Sequence, residues 1–355
     1  MKFSTNIDKC KLFGTTPMYL MEYVSTVSVG NILKRDGYSL ITTQTDGFAG
    51  TEKNTSAIFD VRIGDNKLGV LTFQSSRKHN GVWTFCVDNR VFYTSFWQMS
   101  EVNLNTEDRC SDSISIPENQ LLNREYKVPM GNSTLLGQLS QKRLSKKPVT
   151  IYPYDRYSAF MFIPLIIDDL RLNLRTITKL EIAFDANVNA GLRLKRIRKD
   201  TEAYNLILHG KKVTETERMT GCGLWHNFSR KKLESNPSEY IENYKGLSLK
   251  TYSKMNEIAD IGKKQYIANW NGFWDRMWRS EVSTKSEDVK DWLNYCEISN
   301  DETLYTPCIM QFLYRLSEPD YRLRFWRWQS RRLMRYTRKT DDAKFDVFDV
   351  ITGNI

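Results

Sequence analysis

The sequence predicts an α+β fold in which a largely antiparallel sheet carries helices on one face and a basic helical segment follows at the C-terminal end. Alternating apolar and polar stretches bounded by turn residues indicate hairpins. Strand, helix and strand follow in the same order in both halves of the chain, which indicates a duplicated unit. The chain has 355 residues, enough for one large domain or two modest ones.

An N-terminal α+β half is expected over residues 1–175, with hairpins within 57–95. The first hairpin joins AIFDVRI (57–63) to KLGVLTF (67–73) around turn residues, and the second joins GVWTFCV (81–87) to RVFYTSF (90–96). Residues 100–147 show neither the helical nor the strand periodicity of apolar residues, so they are expected to form a loop with a short helix near 135–144. An apolar stretch near 158–174 predicts a buried amphipathic helix.

The second half, residues 176–298, holds three strand-like segments and is predicted to be α+β as well. The segments are TKLEIAFD (178–185), LSLKTYSK (247–254) and WRSEVST (278–284), with a helix-capable stretch at 256–270. Residues 299–355 form the predicted basic helical tail. Nine basic residues lie between Arg315 and Lys339, interleaved with aromatic ones.

The composition excludes several classes of protein. Hydrophobic residues make up 40% and aromatic residues 12% of the chain, so it is not disordered for most of its length. Six cysteines without a C-x-x-C pair exclude a zinc cage of that type and favour a reducing, cytoplasmic compartment. A charge of +10 indicates a polyanionic partner, with nucleic acid the first candidate. No export signal and no membrane span are expected.

The strand TKLEIAFD places two acids on one face. Side chains alternate along a strand, so Glu181 and Asp185 flank the small Ala183 on the same side. Carboxylate oxygens suit a hard cation such as Mg²⁺ or Mn²⁺. Carboxylates with this spacing are also common on solvated strands, so the pair alone favours an ordinary strand face.

The strand LSLKTYSK places a phenol between two ammonium groups. Lys250, Tyr252 and Lys254 share a face, where positive charge is expected to favour the phenolate of Tyr252 and to neutralise an approaching phosphate. In WRSEVS, Arg279 and Glu281 share a face. Taken singly, a half-buried surface tyrosine and a cross-strand ion pair explain these patterns.

The three blocks together, K-L-E-I-A-F-D, Y-S-K-M-N-E and W-R-S-E-V, followed by a basic aromatic tail, resemble the rolling-circle replication initiators of staphylococcal-type plasmids. That family also includes related relaxases of integrative conjugative elements, and filamentous-phage nicking initiators show a looser version of the blocks. The resemblance is clear over about residues 177–293 and weaker over the tail at 320–328. It extends to the first half only by strand pattern.

The resemblance implies that residues 176–298 are the catalytic half, with a tyrosine nucleophile at Tyr252 and with Lys250, Lys254 and Arg279 as further catalytic residues. It implies metal ligation of Mg²⁺ or Mn²⁺ by acids of the first and third blocks. Lys250 replaces the family's arginine, which keeps the charge but loses the planar guanidinium that binds a phosphate through two hydrogen bonds. A glutamate replaces the usual aspartate at the first acid. The implied metal ligands are Glu181, Asp185 and Glu281.

The implied reaction is site-specific nicking and joining of DNA through a 5′-phosphotyrosine link. Only three histidines occur and none forms a His-x-His pair, so any metal must rest mainly on carboxylates. No G-x-x-x-x-G-K-[ST] loop is present, as expected of a reaction without ATP. The expected partners are double-stranded origin DNA, the nicked single strand, a second copy of the chain and a host helicase.

The tail is interpreted as a DNA-contacting helix, with arginines on phosphates and aromatic rings for stacking or anchoring. The alternative is a surface helix whose aromatic rings pack on the body while its arginines stay solvated. The candidate DNA-binding residues are Arg322, Arg324, Arg327, Arg331, Arg332 and Arg335.

Other functions remain open at this stage. A relaxase for conjugative transfer would use the same chemistry. A non-catalytic DNA-binding protein on the same scaffold would need the tail without Tyr252 or the acids, and an RNA-binding structural protein would show no preference for a DNA origin.

Overall fold

A computed structural model gives the fold of most of the chain. It describes residues 1, 3–35, 37–46, 56–63, 66–76, 79–88, 125–126, 149–150, 158–220, 239–242, 246–255, 257, 277–296, 305–316 and 319–355. The predicted helix at 135–144, nearly all of the loop around it and nearly all of the helix-capable stretch at 256–270 lie outside these residues. None of the described helices is long and apolar enough to cross a membrane.

The architecture is α+β, as the sequence predicts, and its centre is a ten-stranded sheet in which each neighbouring pair is antiparallel. The strands of this sheet, in the order of the sheet, are β12 (Glu239–Glu242), β13 (Ser248–Ser253), β14 (Trp278–Thr284), β9 (Asn173–Ala186), β1 (Phe3–Thr15), β6 (His79–Val87), β5 (Asn66–Ser76), β4 (Ser56–Ile63), β3 (Tyr38–Asp46) and β2 (Ile32–Arg35).

Two smaller sheets and eight helices complete the described elements. The four-stranded sheet contains β11 (Lys211–Lys212), β10 (Tyr204–Leu208), β15 (Met334–Arg338) and β16 (Lys344–Asp346), and the two-stranded sheet contains β7 (Glu125–Tyr126) and β8 (Val149–Thr150). The helices are α1 (Met18–Thr26), α2 (Ser158–Asp169), α3 (Ala190–Lys199), α4 (Glu215–Thr220), α5 (Ser286–Tyr295), α6 (Tyr305–Arg315), α7 (Pro319–Leu333) and α8 (Val347–Thr352).

The first half of the sheet is built from β3 to β6. The predicted hairpin within 57–73 is present as β4 and β5. Strand β6 pairs with β5 along one edge and with β1 along the other. Residues 81–87 therefore do not form the hairpin predicted with residues 90–96, because both edges of β6 are occupied. The stretch 90–96 lies outside the described residues.

Strand β9 runs through the middle of the sheet and joins strands from both halves of the sequence. It pairs with β1 on one side and with β14 on the other. Its apolar face buries Leu180, Ile182 and Phe184 completely, as the alternation in TKLEIAFD predicts. The division of the chain into 1–175, 176–298 and 299–355, and the duplication, stay predictions.

Helix α7, the most basic part of the predicted tail, packs its aromatic side chains into the core. The ring of Trp326 stacks on Phe184 with centroids 4.9 Å apart, and its Nε1 donates to the backbone carbonyl of Ser280 at 3.0 Å. Tyr321 and Phe325 are also buried. These rings anchor the helix to the apolar face of the sheet. This is the second interpretation of the tail, in which its aromatic rings pack on the body of the protein.

The tail is not helical throughout. After α7 the chain enters β15, where Met334 and Tyr336 alternate as buried residues, and β16 then pairs with β15. Alternation with period two favours a strand over a helix here, and the basic helical prediction for 299–355 missed it.

Candidate functional site

The opposite face of β9 carries the polar residues that the sequence singles out. Cross-strand register places Arg279 of β14 opposite Asp185 of β9, and Glu281 opposite Ala183. On the next strand Tyr252 lies opposite Arg279, and Lys250 opposite Glu281. Directly opposed residues on antiparallel strands project to the same face. The three sequence blocks therefore meet on one patch of one sheet.

A β-bulge in β1 adds Asp8 to this patch. Ile7 pairs with Ile182 and Lys9 pairs with Glu181, so Asp8 and Lys9 together oppose a single residue of β9. A bulge re-aims side chains at the irregular position. The carboxylate of Asp8 reaches Arg279 of β14 at 2.8 Å, two strands away.

Three acids form a cluster that could hold a metal ion. Asp8, Glu181 and Glu281 each offer an oxygen, and these oxygens lie within 4.8 Å of one another. Burial raises the pKa of the Glu281 carboxyl, the charge of Asp8 raises it further, and Lys250 opposes both effects. Carboxylates crowded in this way suit a hard cation with oxygen ligands such as Mg²⁺ or Mn²⁺.

A buried donor lies on the same face. Asn6 pairs with Ala183, which in turn pairs with Glu281, so the three residues form one row across β1, β9 and β14. Its Nδ2 is buried, and the described residues supply no hydrogen-bond partner for it. A buried unsatisfied donor is costly. Its place beside the acidic cluster fits an acceptor that a ligand would bring.

Each acid of the cluster forms an ion pair with a basic side chain. Lys179 Nζ lies 2.7 Å from Glu181 Oε1, and Lys250 Nζ lies 3.4 Å from Glu281 Oε1. Burial lowers the pKa of Lys250, but the carboxylates of Glu281 and Glu181 outweigh this effect and the pKa is raised. Asp8 is paired with Arg279.

Asp185 is not one of the three acids of the candidate metal cluster, and its predicted role as a ligand stays a prediction. Both of its carboxylate oxygens accept hydrogen bonds from Arg279, from Nε and from an Nη, at 2.7 Å each. Both side chains are almost completely buried. This bidentate geometry occupies the carboxylate, so Asp185 fixes Arg279, and Arg279 in turn holds Asp8.

Arg279 therefore connects acids rather than facing solvent. Its guanidinium is fully buried and joins Asp185 of β9 to Asp8 of β1. A buried arginine with all of this charge compensation is a structural anchor. The structure places it 0% exposed, so direct contact with a nucleic-acid phosphate would need it to leave both partners.

Tyr252 is oriented by Glu281. Its hydroxyl donates a hydrogen bond to Oε2 of Glu281 at 3.3 Å. Burial raises the pKa of Tyr252 well above the ordinary phenol value, Glu281 raises it further, and Arg279 opposes the rise. The expectation that neighbouring lysines favour the phenolate is therefore wrong for this arrangement, because Lys250 is paired with a carboxylate that lies between the two side chains.

Lys254 lies just beyond the end of its strand. Strand β13 ends at Ser253, and the backbone N–H of Lys254 donates to the carbonyl of Met277 at 2.9 Å. The side chain is buried and forms an ion pair with Glu257. Its Nζ lies 5.6 Å from the centroid of the Tyr252 ring, so it contacts the face of the ring.

The six candidate DNA-binding arginines occupy different environments. Arg322 is buried, and its guanidinium donates to the carbonyl of Leu316. It therefore lies in the core and not, as the sequence predicts, on a surface open to DNA. Burial lowers the pKa of Arg322 to about 10. Arg324 is exposed and Arg335 is partly exposed. Three others form ion pairs with acids while remaining at least partly exposed, namely Arg327, Arg331 and Arg332.

Sequence reasoning missed Asp8 and Lys179. Asp8 lies in a segment with no readable strand alternation, because the bulge breaks the period at that residue. Lys179 has a signal that could have found it, since it stands two residues before Glu181 on the same strand and therefore shares its face.

Comparison with known proteins gives a distant structural likeness. No family model and no curated protein matches the chain. A solved structure of a rolling circle replication initiator protein from Geobacillus stearothermophilus aligns with 80% of this chain and 75% of its own, at 9% sequence identity and a TM-score of 0.30. The relationship is a distant structural one and assigns no residue.

Proposed function

We propose that the chain nicks and rejoins DNA strands by transesterification, as an initiator of rolling-circle replication, with Tyr252 as the nucleophile. The observation that carries the proposal is the shared carboxylate of Glu281. It accepts the hydrogen bond of the Tyr252 hydroxyl and belongs to the cluster of three acids. A nucleophile, an acceptor for its proton and a candidate metal site thus meet on one sheet face.

The reaction first requires that the Tyr252 hydroxyl lose its proton. Because its pKa is raised, the hydroxyl enters the reaction with its proton in place. Glu281 is positioned to accept that proton, and its own raised pKa makes it a stronger base than an ordinary carboxylate. The pair is therefore a nucleophile with an adjacent general base.

The acids Asp8, Glu181 and Glu281 would hold Mg²⁺ or Mn²⁺. The chemistry that such an ion supplies is stabilisation of the negative charge on the phosphate oxygens. Lys250, one third exposed beside Glu281, is a second positive group for the phosphate. Asn6 offers a neutral donor on the same face.

The atoms of the proposed step balance without an oxidant or a nucleotide. The Tyr252 oxygen forms a bond to phosphorus while its proton passes to Glu281. The bond from phosphorus to the 3′ oxygen breaks, that oxygen takes a proton from water, and Glu281 returns its proton to the hydroxide that is left. The products are a 5′-phosphotyrosine link and a free 3′-hydroxyl that can prime synthesis, and the reverse reaction rejoins the strand.

A nicking assay tests the proposal. Negatively supercoiled DNA carrying the replication origin of the element that encodes the chain is incubated with Mg²⁺ or Mn²⁺, or with EDTA. The proposal expects metal-dependent nicks from the unchanged chain and none from Tyr252→Phe, with DNA binding retained. Tyr295→Phe, on an exposed tyrosine, is the matched control. Tight binding with no nick from any variant would instead indicate a non-catalytic DNA-binding protein.

A further inference from the structure

Lys179 contacts the acidic cluster, and the proposed reaction gives it no role. It stands on β9 two residues before Glu181 and contacts the Glu181 carboxylate at 2.7 Å. On the other side of the cluster Lys250 contacts Glu281 at 3.4 Å. The two lysines therefore flank the acids from two different strands.

The three cations around the cluster differ in how firmly they are held. Arg279 is fully buried and forms a two-oxygen contact with Asp185 besides its contact with Asp8. The side chains of Lys179 and Lys250 are 40% and 33% exposed. A lysine has a flexible stem and a hydrated head, so a partly exposed ion pair of this kind exchanges easily. Arg279 is fixed, whereas the two lysines can turn away.

A divalent cation among the acids would weaken the ion pairs that both lysines form with the carboxylates. It would repel a neighbouring ammonium group and would compete with that group for the carboxylate oxygens of Glu181 and Glu281. A released ammonium group needs a new anion, and the phosphates on either side of a scissile bond supply one. The same lysine would then contact a carboxylate without metal and a phosphate with it.

We infer that Lys179 and Lys250 are exchangeable counterions of the acidic cluster, which a bound divalent cation releases to the phosphates of the substrate strand. Metal and DNA then bind cooperatively, and each raises the affinity for the other by the same factor. The inference rests on the proposed function for the location of the metal. It adds Lys179 as a substrate-binding residue and couples the two ligands.

The test measures binding and does not depend on nicking. Every protein carries Tyr252→Phe so that no covalent product forms. Free Mn²⁺ is measured by electron paramagnetic resonance during titration of the full chain, and the affinity for a labelled single-stranded 20-mer of mixed sequence is measured with Mn²⁺ and with EDTA at one ionic strength. The variants are Lys179→Met, Lys179→Arg and, as the matched control on α3, Lys195→Met, whose lysine is exposed.

With Lys179 intact, we expect saturating Mn²⁺ to raise the DNA affinity about tenfold. Lys179→Met should tighten Mn²⁺ binding without DNA, because a competing cation is gone, and should reduce the metal effect on DNA affinity below about threefold. Lys179→Arg should restore most of the coupling. Lys195→Met should change neither quantity.

Two results would overturn the inference. Unchanged or weaker Mn²⁺ binding in Lys179→Met would show that the lysine does not compete with the metal, and full coupling in that variant would show that it is not the group released. These results leave the proposed reaction intact if the chain with Tyr252 unchanged still forms a metal-dependent adduct in the nicking assay. Absence of Mn²⁺ binding in every variant would contradict the metal site and the inference together.

Discussion

Oε2 of Glu281 lies 3.3 Å from the hydroxyl of Tyr252 and accepts its hydrogen bond across the pairing of β13 with β14. The two residues are not directly opposed, because Tyr252 pairs with Arg279 and Glu281 pairs with Lys250. The contact is a diagonal one, within the reach of long side chains on neighbouring strands. It connects the candidate nucleophile to the acids on which a metal would rest.

The roles of Asp8 and Asp185 can be separated by metal affinity. Asp8→Asn removes an oxygen charge from the cluster, so we expect Mn²⁺ affinity to fall at least about tenfold. Asp185→Asn leaves all three cluster acids in place and acts on Asp8 only through Arg279, so its effect on affinity should be smaller than that of Asp8→Asn. Calorimetric titration of Mn²⁺ into each purified variant checks this. An equal or larger loss in Asp185→Asn would place Asp185 among the metal ligands.

Metal binding should strengthen as the pH rises. The raised pKa of Glu281 means that its carboxyl keeps a proton to higher pH than an ordinary glutamate, and that proton must leave before the oxygen can ligate a cation. The affinity for Mn²⁺ should therefore increase as the pH rises, over a range above the one in which an ordinary glutamate loses its proton. Glu281→Gln should flatten this dependence, and an unchanged slope in that variant would show that another group releases the proton.

Removing the Arg279 guanidinium should destabilise the fold strongly. Arg279→Met leaves Asp185 and Asp8 without their shared cation in a buried setting, which costs about 3–5 kcal/mol of unfolding free energy. Arg324→Met, on the exposed side of α7, should change stability by less than about 0.5 kcal/mol. Urea denaturation measures both. A loss under about 1 kcal/mol for Arg279→Met would contradict its role as a buried anchor.

Helix α7 should behave as part of the core. Trp326→Ala deletes a fully buried ring that stacks on Phe184, and we expect it to lower the unfolding free energy by about 3–5 kcal/mol. Tyr295→Ala removes an exposed ring and should cost far less. Thermal and urea unfolding of the two variants gives the comparison. If Trp326→Ala lost DNA affinity but kept its stability, the ring would serve in stacking on bases.

Strand alternation accounts for the part of the site that the sequence predicts. In TKLEIAFD the apolar residues Leu180 and Ile182 are buried on one face, and Glu181 faces the site on the other. WRSEVST forms β14 with the bounds expected. These strands have one face against the core, so a period of two fixes which side chains project together.

The remaining features depend on contacts between distant segments. The bulge at Asp8 is a property of its pairing with β9 and has no mark in the local sequence. Asp185 and Glu181 look equivalent along the strand, and only the approach of Arg279 from β14 separates them. The ion pair of Lys254 with Glu257 forms beyond the end of β13 at Ser253, where strand alternation no longer applies.

The basic tail shows the same limit. Its arginines and aromatic rings are compatible with DNA contact and with core packing, and composition does not decide between them. Burial of Arg322 and Trp326 follows from the apolar face of β9 and β14 against which α7 packs. A helix that is basic in sequence can thus be largely internal in the fold.

Identification of the covalently linked residue tests the central claim most directly. After incubation with origin DNA and Mn²⁺, the protein–DNA product is digested with nuclease and protease, and the peptide carrying the residual nucleotide is located by mass spectrometry. The account predicts a 5′-phosphotyrosine at Tyr252 that is absent with EDTA and in Tyr252→Phe. A metal-dependent adduct at another tyrosine, or nicked DNA without any adduct, would contradict it.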